Sequence, residues 1–217
     1  MRTSPARRRC EPTPALRGFE QINRYWDDTH GVIAAKILPG EYYVTCSDEV
    51  IVTVLGSCIS ACVRDPIAGV GGMNHFMLPS SSQAGSARWS GLDLSDATRY
   101  GNYAMEHMIN DILKHGGRRE RLEVKIVGGG RIISNMSDVG RRNIEFVEQY
   151  LCCEGLRVVG RDVGGLNPRK VYYWPLSGAG KVKKLVSLHN ATILDRENRY
   201  MHAIQDRPVA GEVELFD

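Results

Sequence analysis

The chain has 217 residues, 42% of them hydrophobic and 24% charged, and a formal net charge of +3. This length and composition are typical of one globular domain with extensions, and no stretch approaches the roughly eighteen apolar residues of a membrane span. The six cysteines form no Cys-x-x-Cys pair and are too few for a disulfide scaffold. We therefore expect a cytoplasmic protein with free thiols and no membrane insertion.

The excess positive charge lies at the N-terminus. Residues 1–40 contain seven Lys or Arg and four Asp or Glu, which leaves 21 of each sign for the rest of the chain. The run Arg7-Arg8-Arg9 lies among prolines, and so short a basic run is more typical of a solvated, flexible terminus than of a nucleic-acid or membrane contact. We predict a flexible basic arm at residues 1–30, a folded domain at 31–190 and a C-terminal extension at 191–217.

Apolar runs with turn residues between them predict the first strands. Residues 32–38 and 41–45 flank Pro39-Gly40, which predicts a hairpin. The β-branched run at 50–54 predicts a buried strand, and Gly56-Ser57 predicts a tight bend after it.

A second predicted hairpin brings Cys58 and His75 together. The strand-like runs at 59–63 and 70–78 flank a short loop sequence that begins with Asp65-Pro66. A hairpin centred on this loop places Cys58 opposite His75 or the residue after it, where opposed Cβ atoms are roughly 5 Å apart. A shift of one residue would instead place the two side chains on opposite faces.

The second half mixes helical and strand patterns. Residues 80–95, rich in Ser, Gly and Ala, are typical of a loop. Periodicity predicts two main helices and four further strands. The helices are expected at 100–114 and 139–154, the second capped by Ser137 or Asp138, and the strands at 122–127, 157–162, 171–174 and 181–188.

The order of these elements predicts the fold class. A doubly wound parallel sheet needs regular alternation of strands and helices, which is absent, and most predicted strands neighbour one another in sequence. The expected class is therefore α+β, with packed mixed or antiparallel sheets in a sandwich-like arrangement and the two main helices on an outer face.

Cys58 and His75 are the residues that point to chemistry. A cysteine needs a neighbouring base or a positive field to act as a thiolate near neutral pH, and His75 could be that base. The bend at Gly56-Ser57 could supply backbone N–H groups as oxyanion donors. The pattern alone leaves open that both residues are ordinary core side chains, or that Cys62 joins them in a zinc site, although no fourth ligand is evident.

Several motifs, in order, resemble one known family. Gly56-Ser57-Cys58 is followed by Asp65-Pro66 and by Gly-Gly-Met-Asn-His-Phe-Met-Leu-Pro at 71–79. Over residues 40–187 the sequence resembles the CheD family of chemoreceptor glutamine deamidases, and several independent motifs in the same order argue against chance. The further matching segments lie at 99–105, 128–130, 139–143 and 162–170.

The resemblance implies a cysteine hydrolase that converts glutamine side chains to glutamate through a thioester. It implies Cys58 as the nucleophile, His75 as its base and Thr53 as a polar residue that assists the histidine. Gly56 and Ser57 would then supply backbone support for the oxyanion. The implied substrates are cytoplasmic domains of methyl-accepting chemoreceptors in bacterial chemotaxis, with a CheC-like phosphatase as a further partner. No metal, organic cofactor or nucleic acid is expected.

Two other kinds of function remain open from the sequence. A receptor methylesterase, a transglutaminase or another thiol acyl transferase would use the same nucleophile and base. A non-catalytic adaptor that binds receptors or a CheC-like partner would leave Cys58 inert. The run Gly128-Gly129-Gly130 lacks the lysine of a phosphate-binding loop and predicts a tight turn near the active site.

Overall fold

The computed structural model describes residues 13–78, 96–132, 139–186 and 190–205. Within these ranges the chain forms ten β-strands, three α-helices and a short 3-10 helix at Arg119–Arg121. No helix in the described ranges is both long and apolar enough to cross a membrane. The strands are β1 (Asn23–Asp27), β2 (Val32–Lys36), β3 (Tyr42–Thr45), β4 (Glu49–Leu55), β5 (Ile59–Asp65), β6 (Val70–Asn74), β7 (Glu123–Gly128), β8 (Arg157–Val163), β9 (Arg169–Trp174) and β10 (Ala179–Lys184), and the α-helices are α1 (Asp96–Lys114), α2 (Val139–Cys153) and α3 (Asn190–Gln205).

The strands form two five-stranded sheets. The first sheet has the order β1-β2-β4-β9-β10 and the second the order β3-β6-β5-β7-β8. Neighbouring strands are antiparallel except for the parallel pairs β2–β4 and β7–β8. Helix α2 connects β7 to β8, as a parallel pair requires, and α1 and α2 both pack against the second sheet. The predicted α+β class with packed sheets and helices is confirmed.

The core fills the space on both sides of the second sheet. Every residue of β5 except Arg64 is buried, because one face of this strand meets the first sheet and the other meets the helices. Leu55 and Tyr173 come into this core from the first sheet, whereas Met108 and Val147 come from α1 and α2. Both predicted main helices are therefore confirmed, with apolar faces directed at the sheet.

The turn at Pro39-Gly40 does not join a hairpin, so this prediction is wrong. Strand β2 pairs with β1 and β4 in the first sheet, while β3 pairs with β6 in the second. The turn therefore carries the chain from one sheet to the other, with Gly40 at φ 87°. Local pattern identifies two strands and a turn but does not determine which strands become hydrogen-bonded neighbours.

Both ends of the described chain contain structure beyond the predicted elements. Residues 13–30, part of the predicted arm, include β1, and Phe19 and Ile22 before it are buried in the core. Helix α3 lies in the predicted C-terminal extension. The predicted loop at 80–95 and the predicted caps Ser137 and Asp138 lie outside the described residues.

Candidate active site

Cys58 lies where the chain crosses from one sheet to the other. Strand β4 of the first sheet ends at Leu55, Gly56-Ser57 forms the predicted bend, and β5 of the second sheet begins at Ile59. The Cys58 side chain is fully buried at this crossing. The sequence thus places a thiol on one of the connections that cross between the two packed sheets.

His75 reaches the same place from the end of β6. The hairpin β5–β6 is confirmed, but its register pairs Ile59 with Phe76, so that Met77 falls opposite Cys58. Cys58 and His75 are therefore diagonal neighbours on one face instead of a directly opposed pair. Their side chains still meet, because the Cys58 sulfur and a His75 ring nitrogen lie within 4.8 Å of each other.

Thr53 fixes the proton of the His75 ring. The Thr53 hydroxyl donates to the backbone carbonyl of Ile37 (2.9 Å), and His75 Nδ1 lies 2.8 Å from the same hydroxyl oxygen. Since the single hydroxyl proton goes to Ile37, the hydroxyl must accept from the ring, and Nδ1 carries the imidazole proton. This tautomer leaves Nε2 as the basic nitrogen, and Nε2 is buried without a hydrogen-bond partner among the described residues.

The glycine run after β7 supports the bend. Gly129 N–H donates to Cys58 O (2.7 Å), and Gly130 N–H donates to Gly56 O (2.8 Å). At Gly128, where φ is 122°, a Cβ atom would lie 2.3 Å from Cys58 O. Backbone meets backbone here, which explains why this turn contains glycine.

Asn143 of α2 supports the bend from the other side. Its Nδ2 group donates to Ser57 O (2.8 Å), and its Oδ1 atom accepts from Leu78 N–H (2.9 Å). This fully buried side chain therefore joins the bend to the segment that follows His75. A side-chain amide suits the position because it offers a donor and an acceptor in one plane.

The N–H groups of the bend all point at one carboxylate. Glu197 of α3 accepts from Gly56 N–H (2.8 Å), Ser57 N–H (2.8 Å) and Cys58 N–H (3.1 Å). The Ser57 hydroxyl adds a fourth hydrogen bond at 2.6 Å. The bend thus contains a cluster of converging donors that binds a negatively charged oxygen pair, as an oxyanion site would.

Burial keeps both reactive groups neutral in this arrangement. Burial and the nearby Glu197 carboxylate raise the pKa of the Cys58 thiol well above its ordinary value. Burial lowers the pKa of His75 to about 3. A thiol and a neutral imidazole, not an ion pair, face each other near neutral pH. Burial also raises the pKa of Cys62 to about 12, which makes that thiol a poor nucleophile.

The same side chains include donors that metals use. In the part of the chain that the structure describes, Cys58, His75 and Glu197 form the one group of at least three acidic, histidine or cysteine side chains close enough together to hold an ion. However, both Glu197 oxygens already accept hydrogen bonds from the bend. Cys62, which the zinc alternative from the sequence requires, is not part of this group and lines a different pocket with Lys125 and Tyr173.

Comparison with known proteins decides the family. A family model described as CheD chemotactic sensory transduction matches residues 77–184. A protein of Halorhodospira halophila named "Probable chemoreceptor glutamine deamidase CheD" is 58% identical over 93% of this chain and 93% of its own length. The chain belongs to the CheD family. A CheD relative with the same name from Hahella chejuensis is 54% identical, over 97% of this chain and 99% of its own.

The CheD family model begins downstream of Thr53, Cys58 and His75, whereas the two relatives align over nearly the whole chain. The structure brings these three side chains together, along with Gly56 and Ser57. Sequence reasoning missed Asn143 and Glu197. Asn143 lies in a segment that carries the family resemblance, whereas Glu197 has no signal of its own in the local sequence, because its partners lie about 140 residues earlier.

Proposed function

We propose that this chain is a cysteine-dependent protein-glutamine deamidase that acts on the cytoplasmic domains of methyl-accepting chemoreceptors. The relatives named chemoreceptor glutamine deamidase support the substrate and the reaction. One structural observation carries the mechanism: a His75 ring nitrogen lies within 4.8 Å of the Cys58 sulfur, Thr53 holds Nδ1, and Nε2 has no hydrogen-bond partner among the described residues.

The first half of the proposed reaction forms a thioester. His75 Nε2 takes the Cys58 proton as the sulfur attacks the glutamine carboxamide carbon, and the carbonyl oxygen becomes an oxyanion. The N–H groups of residues 56–58 hold this oxygen, because they are already positioned to bind negative charge. The tetrahedral intermediate then collapses, the C–N bond breaks, and the imidazolium gives its proton to the departing ammonia.

The second half hydrolyses the thioester. A water molecule attacks the acyl carbon while His75 removes one of its protons, and the C–S bond breaks. The proton returns to the Cys58 sulfur, so glutamine and water become glutamate and ammonia. These steps use thiol, imidazole and backbone N–H groups alone, so we expect activity to survive dialysis against a chelator.

Mass spectrometry of a purified receptor cytoplasmic fragment tests the reaction. Glutamine should become glutamate with release of ammonia, and Cys58→Ala or His75→Ala should reduce the rate by about 10²-fold or more. Thr53→Val should cause a smaller loss, mainly in kcat, because the ring keeps its base but loses its orientation. Cys62→Ala is the matched control, since it removes another buried thiol only four residues further along the chain and should leave turnover unchanged.

Other outcomes would identify the alternative functions. Release of methanol without ammonia, dependent on Cys58, would identify a receptor methylesterase. Receptor binding with full biological effect in Cys58→Ala would identify an adaptor. Association with a CheC-like phosphatase, expected from the family resemblance, is a separate proposal that a pull-down with the purified partner tests.

A further inference from the structure

Three side chains of helix α3, among those that the structure describes, are buried in one stripe. Ile193, Glu197 and Met201 recur every four residues and are each at most 8% exposed. By contrast, Asp195 and Arg199 on the same helix are exposed. Such a stripe is the pattern of a helix seated in a groove by one face. What is unusual is that the central residue of the stripe is a carboxylate.

Glu197 is an expensive residue for simple packing. A buried carboxylate costs several kcal/mol unless hydrogen bonds replace its lost water, and an apolar side chain would complete the stripe without that cost. Among the described residues, Glu197 accepts hydrogen bonds from the backbone of residues 56–58 and from the Ser57 hydroxyl, which lie at the thiol. The carboxylate is therefore explained by its hydrogen bonds to the candidate active site and not by the packing of its own helix.

Glutamate is also the side chain that glutamine deamidation produces. Its carboxylate here lies within 4.8 Å of the Cys58 sulfur and of His75, with its oxygens on the N–H groups that would hold the oxyanion. Ile193, Arg196 and Glu197 of α3 also line one pocket together with Thr53 and His75. The arrangement has the geometry of a product complex in which the chain supplies its own glutamate.

We propose that α3 is an internal product mimic, which occupies the groove where a substrate helix docks and which must leave before the enzyme can act. This inference rests on the proposed deamidase function. Cys58 is 0% and His75 2% exposed, so no external glutamine reaches them while α3 is seated. The resting chain is a closed form, and a receptor helix competes with α3 for the groove.

The stripe also predicts what the substrate helix presents. If α3 imitates the substrate, the target glutamine takes the position of Glu197, and the residues four before and four after it take those of Ile193 and Met201. We therefore expect modified glutamines to lie on helices with apolar or small residues at these two positions. Glutamines flanked there by charged residues should be poor substrates.

Self-modification of the full chain tests whether the geometry is that of a substrate. In Glu197→Gln the helix presents a carboxamide to Cys58, and peptide mapping should show conversion of residue 197 back to glutamate. The conversion should be first order and independent of protein concentration, because it occurs within one molecule. Adding Cys58→Ala should abolish it. Stable glutamine at position 197 in an enzyme that deamidates receptor fragments would overturn the proposal.

Release of the helix is tested by two readouts on one set of variants. In Glu197→Ala, alkylation of Cys58 by iodoacetamide and kcat/KM for a receptor fragment should each rise about tenfold or more, since charge-assisted hydrogen bonds that seat α3 are lost. The matched control is Asp195→Asn, which changes an exposed carboxylate of the same helix and should behave as the wild type. Thermal unfolding of each variant verifies that the domain remains folded.

The outcomes separate this inference from the proposed function. Unchanged alkylation and turnover in Glu197→Ala, with turnover still lost in Cys58→Ala, would overturn the role of α3 and keep the deamidase. A loss of turnover without faster alkylation would make Glu197 a support of the bend, and would overturn the inference as well. Faster alkylation of Cys58 with no deamidation by any variant would uphold the seated helix and reject the proposed reaction.

Discussion

At the scale of residues, the candidate site depends on which atom of each group already has a partner. The Thr53 hydroxyl donates its one proton to Ile37 O, which leaves His75 Nδ1 as the donor and Nε2 as the unprotonated ring nitrogen. The thiol and the imidazole are then both neutral in the closed form, because burial opposes charge on either. Opening of the site to water would reduce the cost of charging the thiol and the imidazole. The movement that admits a substrate would therefore also make proton transfer from Cys58 to His75 easier.

Burial of His75 also makes stability depend on pH. Its pKa falls from 6.5 to about 3 on folding, so below about pH 6.5 the unfolded chain binds a proton that the folded chain does not. The free energy of unfolding should therefore be fully supported above pH 6.5 and decrease as the pH falls towards 3. The slope from this residue should approach about 1.4 kcal/mol per pH unit.

Urea denaturation over a series of pH values measures that slope. His75→Gln should remove the part of the slope that belongs to this ring, whereas His107→Gln, at an exposed position on α1, should leave it unchanged. Equal slopes in wild type and His75→Gln below pH 6.5 would show that the ring accepts a proton in the folded protein.

At the scale of elements, the sequence predicted the strands, turns and helices that depend only on residues close together in the chain. The strand β4, the bend at Gly56-Ser57 and the helices α1 and α2 follow from runs, turn residues and periodicity within each segment. The sequence placed Cys58 opposite residue 75 or 76, whereas the structure places it opposite Met77, because Asp65 pairs with Val70 and the four-residue loop is centred after Ile67. No local signal distinguishes a loop centre at one residue from a centre half a residue later.

Other features depend on contacts that are distant in sequence. The partners of β2 and β3 are set by packing between the sheets. Pro39-Gly40 therefore predicts a turn but not which strands pair on either side of it. Helix α3 was not predicted, because Ile193 and Met201 are the two apolar members of its buried stripe among the side chains that the structure describes. Glu197 completes the stripe only when the bend at residues 56–58 is known, and that bend lies about 140 residues earlier.

Asn143 links three elements through one side chain and allows a direct test. Asn143→Leu should lower the free energy of unfolding by about 2–4 kcal/mol, because Ser57 O and Leu78 N–H would both lose a buried partner. Turnover should fall as well, since the bend carries the thiol. Chemical denaturation measures the first effect, with Glu145→Ala on an exposed part of α2 as a control that should change stability by less than about 0.5 kcal/mol.

At the scale of the whole molecule, the site is a property of the sandwich. Thr53 belongs to the first sheet, His75 follows a strand of the second, and Cys58 lies on the crossing from β4 to β5. Any change that shifts one sheet against the other should therefore disturb the contact between Thr53 and His75. The described N-terminal segment adds β1 to the edge of the first sheet, so it too should help to hold that sheet, and Thr53 with it, in place.

Truncation at the N-terminus should therefore have two distinct outcomes. Removal of residues 1–12 should leave stability and turnover unchanged, as the charge and proline content of this segment predict. Removal of residues 1–27 deletes β1 and the buried Phe19 and Ile22. This should cost about 3 kcal/mol or more and leave the edge of β2 unpaired.

Urea denaturation of the two truncations and of Phe19→Ala in the full chain distinguishes the contributions. Phe19→Ala keeps β1 and its pairing with β2, so its loss of stability measures the packing of that ring alone. The truncation at residue 27 should exceed this loss, because it also removes the strand that covers the edge. If the chain without residues 1–27 were as stable as the full chain, β1 would contribute nothing to the stability of the fold, and the folded domain would begin at β2.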